Sequence, residues 1–258
     1  KKDAYEAPHR EYRELNPDDP NFIDAYKVLV DRSEKLIIQR LQELQQHIAD
    51  GQLNDFNIGG KGEAIFFDRH LYSPLLHLRN GVDTDLFSVS PVHLNEGERD
   101  FVMDLRTYCQ SKPVRLEGKE IYLLRNQSRG RGVGFFEAGN FFPDFLLWVL
   151  EGGHQHVIFV DPKGILRCEG MNDPKLRFFE TIKDIERKMC VKDPVRAGKI
   201  SLHSFVVSNT PMGAVRWWNP TMATWQDFAD RHVLFQKEVA SNYIEEIFSR
   251  AIASGVNS

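Results

Sequence analysis

Asp144 and the trio Asp161-Pro162-Lys163 are the residues whose types and spacing suit a reaction. They sit in two apolar runs, Phe141-Phe142-Pro143-Asp144-Phe145-Leu146-Leu147-Trp148-Val149-Leu150 and His156-Val157-Ile158-Phe159-Val160-Asp161. Glu151-Gly152-Gly153-His154-Gln155 joins the runs and carries a Gly-Gly turn signal. A turn centred between the two glycines places Asp144 directly opposite Asp161. Residues two apart in a strand share a face, so Lys163 points the same way as Asp161. Apposed carboxylates are destabilising by themselves. The arrangement therefore predicts a cation at this end of a hydrophobic hairpin.

The elements around it follow from periodicity and stop signals. Ile37, Leu41, Leu44 and Ile48 recur at helical spacing, which predicts a long helix from about Phe22 to Asp50, stopped by Gly51. Ala64-Ile65-Phe66-Phe67 reads as a strand. Asn95 with Glu98 three positions on forms a capping box, and Phe101/Val102, Leu105 and Cys109 continue that helix's apolar stripe. Glu120 to Leu124 reads as a strand and Arg125 to Gly132 as a flexible basic loop. The pattern further predicts a helix over 173–189, a strand over 201–208, and a last helix from Thr224 to about Ala253. Two regions result, an N-terminal helical or linker region over residues 1–90 and the site-bearing domain over residues 91–258.

Composition is that of a globular protein, with 11% aromatic and 27% charged residues. No apolar run approaches the ~18–20 residues of a membrane helix. Three cysteines, Cys109, Cys168 and Cys190, with no CxxC pair, make neither a disulfide framework nor a zinc site and point to the cytoplasm. The start, Lys1-Lys2-Asp3-Ala4, lacks a Met and an apolar leader and reads as a segment of a longer protein. The formal net charge of -4 hides an asymmetry. From Lys163 to Lys199 there are 10 basic against 6 acidic residues, whereas residues 1–60 hold 8 basic against 12 acidic. Asp68, His70, His77 and His93 match no metal-ligand spacing. His154 and His156, two apart, suit either a chelate or hairpin-tip turn residues. Trp217-Trp218 suits base stacking or packing.

The order helix, strand, strand with Asp144, strand with Asp161-Pro162-Lys163, helix, strand resembles the PD-(D/E)xK nuclease superfamily. The closer resemblance is to the endonuclease domain at the C-terminal end of type III restriction subunits and related helicase-fused restriction proteins. Leu124-Arg125-Asn126, Gly132-Val133-Gly134-Phe135-Phe136, Asn140-Phe141-Phe142-Pro143-Asp144-Phe145 and Phe159-Val160-Asp161-Pro162-Lys163-Gly164 carry it, over about residues 92–210. The resemblance implies an α/β fold with a restriction-endonuclease-like core, a mixed sheet flanked by helices. It implies a Mg²⁺-dependent DNA endonuclease, with Mn²⁺ as a substitute, in a restriction or phage-defence system.

On that resemblance Asp144 and Asp161 are metal ligands, the Pro162 carbonyl is a third, and Glu98 on the preceding helix joins them. Hard oxygen donors of this kind suit Mg²⁺. Lys163 would hold the attacking water and offset developing charge. Arg125, Arg129 and Arg131 are candidate DNA contacts. No G-x-x-x-x-G-K-[ST] loop is present, and Gly59-Gly60-Lys61-Gly62 lacks its spacing. A helicase or translocase, and a methyltransferase module, would therefore lie on other sequence. Cutting both strands implies a dimer or paired complex. The alternatives are a non-cleaving nucleic-acid-binding or scaffolding module with a nuclease-like fold, and a phosphoesterase acting on RNA or nucleotides.

Overall fold

The computed structural model describes residues 27–68, 74–83, 85–90, 92–126, 133–135, 141–166, 168, 170, 172–215, 224–238 and 242–253. The chain divides into two compact units, Lys1–Arg99 and Asp100–Ser258. It is a mixed α/β protein with sheets flanked by helices. Among the described residues no helix is long and apolar enough to cross a membrane.

The first unit holds β1 (Lys27–Val30), α1 (Lys35–Ala49), β2 (Phe56–Ile58), β3 (Gly62–Ile65), β4 (Leu75–Leu78) and β5 (Phe87–Ser90). β1 pairs antiparallel with β5, and β2-β3-β4 form a second antiparallel sheet. Ile37 and Leu44 of α1 pack with Phe56, Ile58, Ala64, Leu76 and Leu78 in one buried cluster. The expected helical region is thus corrected. Its described part carries five strands, and the helical periodicity holds only from Lys35. The preceding Val28-Leu29-Val30 is rich in β-branched residues and pairs as a strand. Asp31 then breaks the chain, its Oδ1 accepting from Ser33 N at 2.8 Å.

The helix α2 (Glu96–Gln110) contains the division between the units. The second unit continues with β6 (Glu120–Arg125), β7 (Phe145–Glu151), β8 (His154–Lys163), α3 (Phe178–Lys192), a short helix α4 (Pro194–Ala197), β9 (Ile200–Ser208), α5 (Trp225–Ala229), β10 (Val233–Phe235) and α6 (Tyr243–Ala253). Its sheet has the order β10-β9-β8-β7-β6. β6, β7 and β8 run as an antiparallel meander, while β8-β9 and β9-β10 are parallel. Parallel neighbours need a crossover, and α3 lies within the one between β8 and β9. Phe178 and Ile182 of α3 bury against Phe141, Leu146, Phe159 and Leu202. Each such side chain contributes about 1.5–3 kcal/mol by leaving water.

The last helix is also corrected. Thr224 and Asp227 do form a capping box, but it opens only the five-residue α5. His232 takes a positive φ of 56° and Val233-Leu234-Phe235 follows as a buried strand. The apolar run is claimed by pairing with β9 before α6 begins.

Candidate active site

The Gly-Gly turn sets the register of the site. Gly152 and Gly153 take φ of 55° and 85°, the left-handed region in which glycine carries no Cβ penalty. Glu151 faces His154, and the ladder runs from there to Phe145 opposite Val160. Asp144 and Asp161 are the next positions in that register.

Two prolines explain why the ladder stops there. Gln155 N donates to Lys199 O at 2.7 Å and Lys163 O accepts from Asn209 N at 3.2 Å, so odd-numbered residues of β8 address β9. Even-numbered ones address β7. Asp144 O accepts from Asn126 N at 2.8 Å, so Asp144 addresses β6. The next pair due to exchange hydrogen bonds is Pro143 with Pro162, and neither has an N–H. Proline is normally excluded from a central strand. β8 tolerates Pro162 because its β7 side has ended, and the alternation turns the Pro162 carbonyl away from β9 toward that gap.

A cavity of about 310 Å³ opens at this end, lined by Phe141, Phe142, Asp144, Asp161, Lys163 and Lys175. Asp161 is buried, at 5% exposure, and its Oδ2 is ion-paired with Lys163 Nζ. That ammonium also lies 5.0 Å from the centre of the Phe141 ring. Arg125 Nη1 approaches Asp144 Oδ1 at 3.1 Å and donates to the Asp144 carbonyl at 2.9 Å. Its guanidinium stands 5.0 Å from the centre of the Phe145 ring. Each carboxylate therefore has its own cation.

Asn126 holds the strand ends in place. It is buried, and its Nδ2 donates to Val133 O at 2.8 Å and Pro143 O at 2.7 Å while its Oδ1 accepts from Val133 N at 2.9 Å. Phe141 and Phe135 exchange backbone hydrogen bonds of 2.8 and 3.0 Å. A Cβ at Gly134 would collide with the Phe142 ring, so glycine lets that ring lie directly on the backbone.

The structure thus brings Asp144, Asp161 and Lys163 to one cavity. Arg125 ends β6 beside Asp144, so the stretch after Leu124 begins as paired strand. Arg129, Arg131 and Trp217-Trp218 lie outside the described residues. Glu98 belongs to the first unit. It is 4% exposed and completes the capping box, Asn95 N donating to Glu98 Oε2 at 2.9 Å and Glu98 N to Asn95 Oδ1 at 3.0 Å. Among the described residues, no three His, Cys, Asp or Glu side chains group to hold a metal.

His154 and His156 are strand residues at the far end of the hairpin. His154 Nε2 and Ser201 Oγ are 2.7 Å apart, and His156 is 1% exposed. Burial, helped by His154, holds the His156 imidazole below its usual range. Sequence reasoning quoted Asn126 only within the Leu124-Arg125-Asn126 stretch and put Lys175 in the helix expected over 173–189, giving neither a role, whereas α3 starts at Phe178. Asn126 acts through long-range hydrogen bonds, which leave no periodic trace, and Lys175 lies in a loop.

The fold and the cavity define a mixed α/β domain with a carboxylate–lysine cleft. No family model, curated protein or solved structure matches the chain.

Proposed function

We propose that the second unit is a Mg²⁺-dependent DNA endonuclease of the PD-(D/E)xK type, with Asp144, Asp161 and Lys163 at its centre. The observation that carries this reading is the end of the β7–β8 ladder, where both carboxylates and the lysine line one cavity. The donor set suits Mg²⁺. It offers two carboxylates and the Pro162 carbonyl, all hard oxygens, and leaves room for waters and phosphate oxygens. Mg²⁺ so held would polarise the phosphate and lower the pKa of a water.

The chain's own residues do the rest. Asp144 and Asp161 hold the cation, and Arg125 and Lys163 keep those carboxylates in place. Lys163 Nζ donates to the attacking water and sets it against the phosphorus, where it also offsets charge on the non-bridging oxygens. Phe141 and Phe142 wall the site against bulk water. Burying an Asp–Lys pair contributes little to stability. The arrangement is thus better accounted for by chemistry than by folding. Glu98 keeps its capping role in this proposal. Restriction or phage defence, work with an ATP-dependent translocase, and paired subunits for double-strand cutting are proposed on sequence resemblance alone.

A second reading is a non-cleaving nucleic-acid-binding module. It is favoured by the pairing of each carboxylate with its own cation. Nicking of supercoiled plasmid in Mg²⁺ or Mn²⁺ separates the two. The wild-type chain should nick and Asp161→Ala should not. Equal nicking by both removes the site assignment, and none by either favours the second reading. Digesting RNA and DNA side by side tests the substrate.

A further inference from the structure

We propose that Lys175 is a substrate-phosphate contact of this cleft, a role that rests on the nuclease reading above. Lys175 lines the cavity with Asp144, Asp161 and Lys163. Its backbone is built into a turn. Lys175 N donates to Asp173 Oδ1 at 2.9 Å, and Leu176 N and Arg177 N donate to the Asp173 carbonyl at 2.9 and 3.0 Å. Leu176, 2% exposed, anchors the turn in a core cluster with Ile165 and Val206. Pro174 and Lys175 are the exposed residues between Asp173 and this anchor, and Lys175 is the one that carries a charge.

The charges in the cleft divide the labour. Lys163 is paired with Asp161 and Arg125 with Asp144. Among the described residues the Lys175 ammonium forms no ion pair. An incoming phosphodiester brings a further negative charge to a site that already holds two carboxylates. A lysine on a flexible four-carbon stem can meet it as a mobile point charge. Lys175 therefore holds a non-bridging oxygen of the substrate backbone, while Lys163 stays with Asp161 and the water. The ligand class is a polyanionic nucleic-acid backbone, and the contact is blind to base sequence.

The test compares Lys175→Ala and Lys175→Arg with Lys199→Ala, which removes an exposed charge outside the cavity. Cleavage kinetics on a short fluorescein-labelled duplex should show KM raised about tenfold in Lys175→Ala, as loss of one charge-assisted hydrogen bond implies. Its kcat should stay near that of the wild type, Lys175→Arg should recover most of the KM, and Lys199→Ala should change neither. Binding anisotropy without divalent cation gives a readout that needs no cutting. Between about 50 and 200 mM salt, the slope of log affinity on log salt should shrink by about 0.9 in Lys175→Ala. A wild-type slope and KM in Lys175→Ala overturn the inference. If the wild type binds DNA but never cuts, the nuclease reading fails and the salt slope still decides Lys175. If it does not bind DNA, both fall.

Discussion

The β7–β8 hairpin carries a polar cluster at each end, and the two ends behave differently. At the turn end, Glu151 meets Lys119 at 2.6 Å, His154 meets Ser201, and His156 is sealed in the sheet. At the open end, Asp144, Asp161, Lys163 and Lys175 line a cavity. Both ends hold titratable side chains two residues apart on a strand. What separates them is the backbone. Glycines close one end with the ladder intact, and facing prolines stop the ladder at the other. Polar residues become a candidate site where strand pairing is withheld.

The largest effect should come from the open end. Asp161→Asn, which keeps the shape and removes the charge, should lower plasmid nicking by about 10²–10³-fold, the scale of losing a main electrostatic element. His156→Gln at the turn end should leave nicking near wild type. If both variants lose activity alike, the contrast between the ends collapses.

Asn126→Ala breaks the open end by another route. It strands the Val133 N–H and two carbonyls and should destabilise the second unit by about 2–4 kcal/mol, read by urea denaturation. Activity should fall along with stability. An unchanged midpoint would mean that Asn126 does not pin the strand ends.

A separate effect, on stability against pH, is expected from the buried histidines. Burial pushes His203 down to about 2 and His232 to about 4, against an ordinary value of 6.5. A histidine whose folded pKa is depressed stays neutral in the fold while the unfolded chain takes up protons. Its stabilising contribution is present above pH 6.5 and is lost as pH falls from 6.5 toward 4. Tm should decline over that window, and His203→Gln should flatten the decline. A Tm that is level from pH 7 to 4 would contradict the buried neutral imidazoles.

Much of the hairpin was legible in the sequence because its signals are local. The Gly-Gly turn fixes register, and register places Asp144 against Asp161 and Lys163 beside them. The Asn95–Glu98 capping box was legible for the same reason. Elsewhere, tertiary pairing overrode local pattern. Val28-Leu29-Val30 adjoins a helical stripe yet pairs with β5, and Val233-Leu234-Phe235 interrupts a helical pattern to join β9. Asn126 and Lys175 act across the fold, through contacts that spacing does not encode.

The most direct test of the open end is Mn²⁺ titration followed by electron paramagnetic resonance. The wild-type chain and His156→Gln should bind Mn²⁺ alike, and Asp161→Asn and Asp144→Asn should each lose that binding. Undiminished Mn²⁺ binding by the two aspartate variants would contradict a metal-holding site at the proline end of the hairpin.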